Sequence, residues 1–213
     1  MSTPVVILGS GAHGVDILDS LRLLGAAYEP LGFLDDRPLA PQVHGLPVLG
    51  PLSQAASLGR EIRFVTAIGS ANAYRARPTL LEGLGLERER FISVIHPSAS
   101  VSQWAELGAG SVVLQHSVLS AGCQVGDQVV ILPGCRISHD TVVEDYTILA
   151  TGVILSGHVR VARNCYLGAG ALVRDGLRLG EGCLVGMGSV VIRSVEPGQR
   201  VAGNPARPLK AAR

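Results

Sequence analysis

The chain has 213 residues, 18 basic against 17 acidic, and an apolar content of 47% that includes only eight aromatic side chains. A charge balance this close to neutral offers no polyanion such as nucleic acid a basic surface. No run approaches the ~20 apolar residues of a membrane span, and the opening MSTPVVILGSGAHG has no basic n-region of a secretion signal. These features set the expectation of a cytoplasmic protein with small-molecule partners, no nucleic acid and no membrane, whose core is built from aliphatic side chains in regular layers.

In chain order, VVILG reads as a short β-branched strand, and SGAHGVDILDSLRLLG as a helix with Val15, Leu18, Leu21 and Leu24 on one face. PLGFLDD, IRFVTAIGS and FISVIH read as further strands, with helical stretches at about 51–58 and 72–85. Residues 1–94 are therefore expected to form a small Rossmann-like parallel α/β sheet domain. Gly9, Gly11 and Gly14 make a GxGxxG at the first strand–helix turn, and Asp35 follows 21 residues after the last of them. The half is too short for the two mononucleotide units of a dinucleotide site, and no substrate domain for hydride chemistry follows. What survives is local: glycines let a backbone approach a phosphate at a helix N-terminus, whose free N–H groups bind anions. A nucleotide diphosphate fits that turn, as does a tight βα turn with no ligand.

From Ile95 the pattern changes to a period of six. Stepping by six from Ile95 to Val191 meets an aliphatic residue every time, without an insertion. Neither a helix nor simple alternation gives that period, whereas short strands joined by tight corners do, each sending one large aliphatic inward. This is the hexapeptide signature of a β-helix, expected over residues 95–195 and followed by a C-terminal tail at 196–213. The position four after each aliphatic is mostly small and inward. The position three after is rich in Gly, Asn, Asp and His, which tolerate the positive φ of a sharp corner. Cys123, Cys135, Cys165 and Cys183 share the small inward register with Ala and Ser, and no CxxC exists, so they read as packing residues.

Taken together, GSGAHG after the first strand, FLDD after the second, AIGS after the third, the uninterrupted hexads, SHD within them and GNPAR near the end make the chain similar to the bacterial nucleotide-sugar N-acetyltransferases and their sialic acid O-acetyltransferase relatives. The resemblance covers nearly the whole chain. It implies a left-handed parallel β-helix, a homotrimer, and acetyl-CoA as acyl donor in the cleft between neighbouring subunits, with no metal. It also implies that the N-terminal domain holds the nucleotide of a UDP- or GDP-linked amino sugar. Carried across, Gly9, Ser10, Gly11, Ala12 and His13 fall at the phosphate and sugar, Asp35 and Asp36 at the base and ribose, and Gly69 at the nucleotide backbone. Where some relatives carry a second histidine nine residues beyond the base, this chain has Ile148.

Register then places the interrupting SHD. With three hexads to a coil, residues eighteen apart stack about 4.8 Å apart, so His139 stacks on Gly157 and Asp140 on His158. His139 lies just before a corner and outside the inward set, facing solvent or a neighbouring subunit. Acyl transfer to an amine needs a base, a group to orient it and a donor for the oxygen that gains charge. His139 suits the first role, Asp140 the second and the Gly157 N–H the third. Asp140 also sits where corners favour Gly, so a conformational role stands beside the catalytic one, and His116 and His158 read as corner residues. Ala169 and Met187, in the same pre-corner register on another face, are candidates to line the CoA arm, and Arg207 and Lys210 to meet its phosphates. A zinc site of the γ-carbonic anhydrase kind lacks its HxxxxH pair.

Three functions follow. The leading one is N-acetylation of a nucleotide-linked 4-amino sugar; the others are O-acetylation of a sialic acid or similar sugar, and a non-catalytic trimeric partner of a sugar-biosynthetic enzyme. Intact GSGAHG and FLDD favour the first over the second, and intact His139-Asp140 argues against the third.

Overall fold

The computed structural model describes residues 2–209. The N-terminal half is a five-stranded sheet of β1 (Thr3–Leu8), β2 (Tyr28–Leu34), β3 (Gln42–Val43), β4 (Leu46–Gly50) and β5 (Arg63–Thr66), in the order β3-β4-β2-β1-β5. β2 pairs in parallel with β1 and β4, and β1 with β5; only the β3–β4 hairpin is antiparallel. The interior strand β1 is covered on both faces, which is why VVIL is an unbroken apolar run rather than an alternating one. Helix α1 (Ala12–Leu23) follows β1, and its buried stripe is centred on Ile17, Leu18 and Leu21 rather than on Val15.

Three sequence expectations change here. Residues 52–57 form a 3₁₀ helix, too short between Pro51 and Gly59 to settle into an α-helix. The stretch at 72–85 is a 3₁₀ turn followed by a helix of only six residues, α2 (Arg77–Glu82), which ends at Gly83 and Gly85. FISVIH does not join the N-terminal sheet beyond a single bridge between Phe91 and Phe64; Val94–Ile95 pairs instead with Val112–Val113 as the first strand of the second half.

That second half is a left-handed β-helix with two-residue strands on three faces. Face 1 begins at Val94–Ile95, face 2 at Ser100–Val101 and face 3 at Glu106–Leu107. Each strand pairs in parallel with the one eighteen residues on, as Val118 does with Arg136 and Val142 with Arg160. The large aliphatics and the four cysteines form one continuous inner column. Its N-terminal end is open: Val101 and Leu107 are partly buried, and Ile95 is exposed. All four cysteines are free and buried, and burial pushes the thiol of Cys135 up to about 12. The corners impose their backbone on whatever residue arrives. His116, Gln128, Asp140, Tyr146, His158 and Asn164 all adopt φ between +55° and +59°, although Gln and Tyr are not turn residues by type. After Val191 the period breaks. Arg200–Ala202 pairs with Leu184–Val185 on face 1, sixteen residues on instead of eighteen, and Arg207–Pro208 folds back against it, so part of the expected tail belongs to the sheet.

The two halves share a core. Ile17, Leu18, Leu21, Phe33 and Tyr74 pack with Val112, Leu114, Val130, Leu132 and Ile148 of face 1. Polar contacts surround this apolar seam: Tyr74 donates to Gly182 O at 2.9 Å, Arg163 pairs with Glu82 at 2.8 Å, and Arg88 pairs with Asp127. Arg77 is fully buried between the halves, donating to Ile68 O and Gln128 O. Burial pushes its pKa down to about 9, which still leaves a cation at neutral pH. With face 1 covered, the corner between faces 2 and 3 is the edge of the prism that points away from the N-terminal sheet.

Candidate functional site

His139, Asp140, Gly157 and His158 occupy that outer corner on two successive coils. The His139 Nδ1 lies 2.9 Å from Asp140 Oδ2, and both side chains are more than half exposed. Nδ1–H donating to the carboxylate leaves the Nε2 lone pair directed outward. Asp140 meanwhile has φ +57°, so the corner role and the histidine contact coexist in one residue. The imidazole leans over Gly157, where an added Cβ would lie 2.7 Å from both Cε1 and Nε2. Glycine is therefore required by the ring above it, at a position where φ makes no such demand. In this solenoid the N–H two residues past each inward aliphatic is left out of the strand ladder. Carboxylates cap it at Ala109 and Asp127, whereas the Gly157 N–H has no protein acceptor among the described residues. His158 sits beside this pair, its Nδ1 3.9 Å from Asp140 Oδ2 and its ring edge-on to His139 at 4.9 Å.

A second site lies on the N-terminal sheet. Gly9, Gly11, Asp35, Asp36, Arg37, Leu52, Ala67, Ile68 and Leu80 line an open pocket of about 280 Å³. The three glycines divide the work. Gly9 has φ +106° and Gly14 packs against it, since a Cβ on Gly14 would lie 2.3 Å from Gly9 O. Gly11 has no atom within 4 Å of where its Cβ would be, so it is the glycine whose backbone a ligand can approach. Ser10 donates its N–H at 2.7 Å and its hydroxyl at 2.6 Å to Asp35 Oδ2, and the Arg37 N–H donates to Oδ1 at 2.8 Å. Burial pushes the Asp35 carboxyl up, but these donors outweigh it and hold the pKa below the ordinary value. Asp36 Oδ1 accepts from the Leu52 N–H at 2.9 Å. Both aspartates thus brace the loop, each offering a ligand only its remaining lone pairs.

The remaining candidates are more scattered. Ala12 and His13 open α1 beside the pocket without lining it; burial pushes the His13 pKa down against the pull of Asp16. Gly69 has a packing reason, because a Cβ there would meet Ile148 Cδ1 at 2.4 Å across the seam between the halves. Ile148 is accordingly buried in that seam, remote from His139 of the same chain. Ala169 and the exposed Met187 lie on the corner between faces 1 and 2, a different edge from His139. Arg207 is exposed, its guanidinium meeting only Ala206 O among the described residues; Lys210 lies outside them. The sequence reading missed Leu52, Ala67, Ile68 and Leu80 as pocket walls. Ala67 and Ile68 follow the end of β5, Leu52 opens the 3₁₀ helix and Leu80 lies within α2; apolar residues at such positions are ordinary packing by type, so the letters carried no signal.

Comparison with known proteins gives three findings. Residues 4–78 match the family model described as the PglD N-terminal domain. A curated UDP-N-acetylbacillosamine N-acetyltransferase of Bacillus subtilis is 34% identical over 115 residues, so the match spans 52% of this chain and about half, 50%, of that relative. Among solved structures, the acetyltransferase domain of PglB from Neisseria gonorrhoeae, in complex with acetyl coenzyme A, is 32% identical with a TM-score of 0.88 over 98% of this chain and 100% of that one. A variant of perosamine N-acetyltransferase from Caulobacter crescentus, in complex with CoA and GDP-perosamine, is 30% identical with a TM-score of 0.85 over 97% and 96%.

Proposed function

The chain belongs to the family of bacterial nucleotide-sugar N-acetyltransferases, and from that premise we propose that it acetylates the amino group of a UDP- or GDP-linked amino sugar with acetyl-CoA as donor. The observation that carries the reading is the His139–Asp140 pair held over the bare Gly157 at an exposed corner, in a chain that also has an open βα-loop pocket. Acetyl-CoA supplies the activated acyl group. The corner fits it: Gly157 has no side chain to obstruct a thioester, and its unused N–H is aimed outward.

In the reaction, His139 Nε2 takes a proton from the sugar amine as it attacks the thioester carbonyl directly. Asp140 holds the ring in the tautomer that leaves Nε2 unprotonated and stabilises the imidazolium that forms. The Gly157 N–H donates to the carbonyl oxygen as negative charge develops, and the imidazolium can then return its proton to the departing sulfur. The nucleotide sits in the N-terminal pocket, with its diphosphate against Gly11 and the first N–H groups of α1.

The pocket and His139 lie on opposite sides of the prism, because the N-terminal sheet covers face 1 and His139 is on the edge between faces 2 and 3. A homotrimer with closed threefold symmetry resolves this, one copy presenting its nucleotide to another copy's His139. The corner with Ala169 and Met187 then supplies a second wall for the CoA arm. The test is kinetic. With UDP- and GDP-linked 4-amino sugars as acceptors, His139→Ala should lower kcat by roughly 10²–10⁴-fold while KM for both substrates changes little. A wild-type kcat in that variant sends the proton elsewhere and overturns the assignment.

A further inference from the structure

His158 is a reactive side chain that the mechanism leaves unused. Its ring makes no hydrogen bond among the described residues, yet the eighteen-residue register fixes it on the coil next to Asp140. His139, Asp140 and His158 each offer a ligand atom, and these atoms all lie within 4.8 Å of one another. The donors converge on one oxygen: Asp140 Oδ2 is 2.9 Å from His139 Nδ1 and 3.9 Å from His158 Nδ1. Tetrahedral zinc, with bonds of roughly 2.0–2.2 Å to imidazole nitrogen and carboxylate oxygen, sets its ligands about 3.3 Å apart, between those two separations. All three side chains are exposed, so small χ rotations bring them to that spacing without disturbing the core.

We propose that His139, Asp140 and His158 form a zinc-binding site that switches the enzyme off. Zinc enters at Nδ1 of His139 and takes the place of the proton shared with Asp140. That proton moves to Nε2, so the ring stays neutral but its outward nitrogen becomes a donor with no lone pair to receive the amine's proton. Asp140 supplies the anionic ligand and His158 the second imidazole, which leaves the fourth position of the tetrahedron to water. Two neutral imidazoles and one carboxylate are a donor set that suits zinc over magnesium or calcium. The inhibition rests on the catalytic role proposed for His139, whereas the binding of metal does not.

Calorimetry on the intact protein with zinc chloride in a non-chelating buffer should show one zinc per chain. His158→Asn, which tolerates the same positive φ, should weaken that binding at least tenfold, as should His139→Asn. Metal-free His158→Asn should acetylate a nucleotide-linked amino sugar at close to the wild-type rate and keep that rate at zinc concentrations that silence the wild type, and a chelator should restore the latter. Unchanged zinc affinity in His158→Asn overturns the site. A metal-free His158→Asn with the kcat of His139→Ala overturns the switch, because His158 would then serve catalysis itself. A wild-type protein that binds zinc through these residues but acetylates no amino sugar keeps the site and removes the function proposed above.

Discussion

At the scale of single residues, Gly157 is the position where one methyl group decides chemistry. A Cβ there would lie 2.7 Å from the His139 ring, so Gly157→Ala has to swing the imidazole off its axis. Misplacing a catalytic group by about 1 Å costs on the order of 10²-fold. The expected outcome is a kcat lowered by about that factor with an unchanged melting temperature, measured by steady-state kinetics beside thermal unfolding. Asp35 makes a pH-dependent counterpart. Its folded pKa lies below the ordinary 3.8, so the unfolded chain takes up the proton first as pH falls. The stability it contributes is then fully present well above pH 4 and is lost as pH drops through 3.8 toward the lower folded value. Thermal unfolding across that window should be steeper in pH for the wild type than for Asp35→Asn, and equal slopes would show that Ser10 does not stabilise the carboxylate.

At the scale of elements, the first βα unit depends on contact between β1 and α1. Gly14 lets the helix touch the strand end, with 2.3 Å from its would-be Cβ to Gly9 O. A backbone oxygen cannot swing aside as a side chain can. Gly14→Ala should therefore destabilise the N-terminal half by about 1–3 kcal/mol, the usual range for overpacking, and denaturant titration followed by circular dichroism measures it. GxGxxG was legible as a motif, but the separate jobs of its glycines were not. Only Gly11 faces open space, and nothing in the letters distinguishes it from Gly14. The 3₁₀ segments at 52–57 and 74–76 read as helical in sequence because apolar spacing over so few residues fits either geometry.

At the scale of the molecule, the N-terminal sheet covers one face of a three-faced prism and leaves the opposite edge bare. If the site is built from two copies, two inactive chains can complement each other. His139→Ala lacks the base, and Gly11→Phe fills the nucleotide pocket where space is open. Co-refolded mixtures of the two should regain activity that neither has alone, and light scattering should give the mass of a trimer for each. No recovery in mixed trimers would place pocket and base in one chain. Arg77 helps hold the two halves together, since its buried guanidinium ties Ile68 O in one half to Gln128 O in the other.

The sequence by itself determined the solenoid and its register. Each coil touches only its neighbours, so a period of six residues fixes which side chains point inward and which stack eighteen apart. That is enough to set His139 over Gly157 and Asp140 beside His158, and the structure has both. Tertiary structure decided what depends on contacts between distant segments. It chose face 1 for the N-terminal half, bound Asp35 to Ser10 across 25 residues and Arg77 to Gln128 across 51, and gave Gly69 to packing against Ile148. No local period encodes such pairings, because they arise from two independently patterned surfaces meeting, and either surface reads the same in sequence whether or not the other covers it.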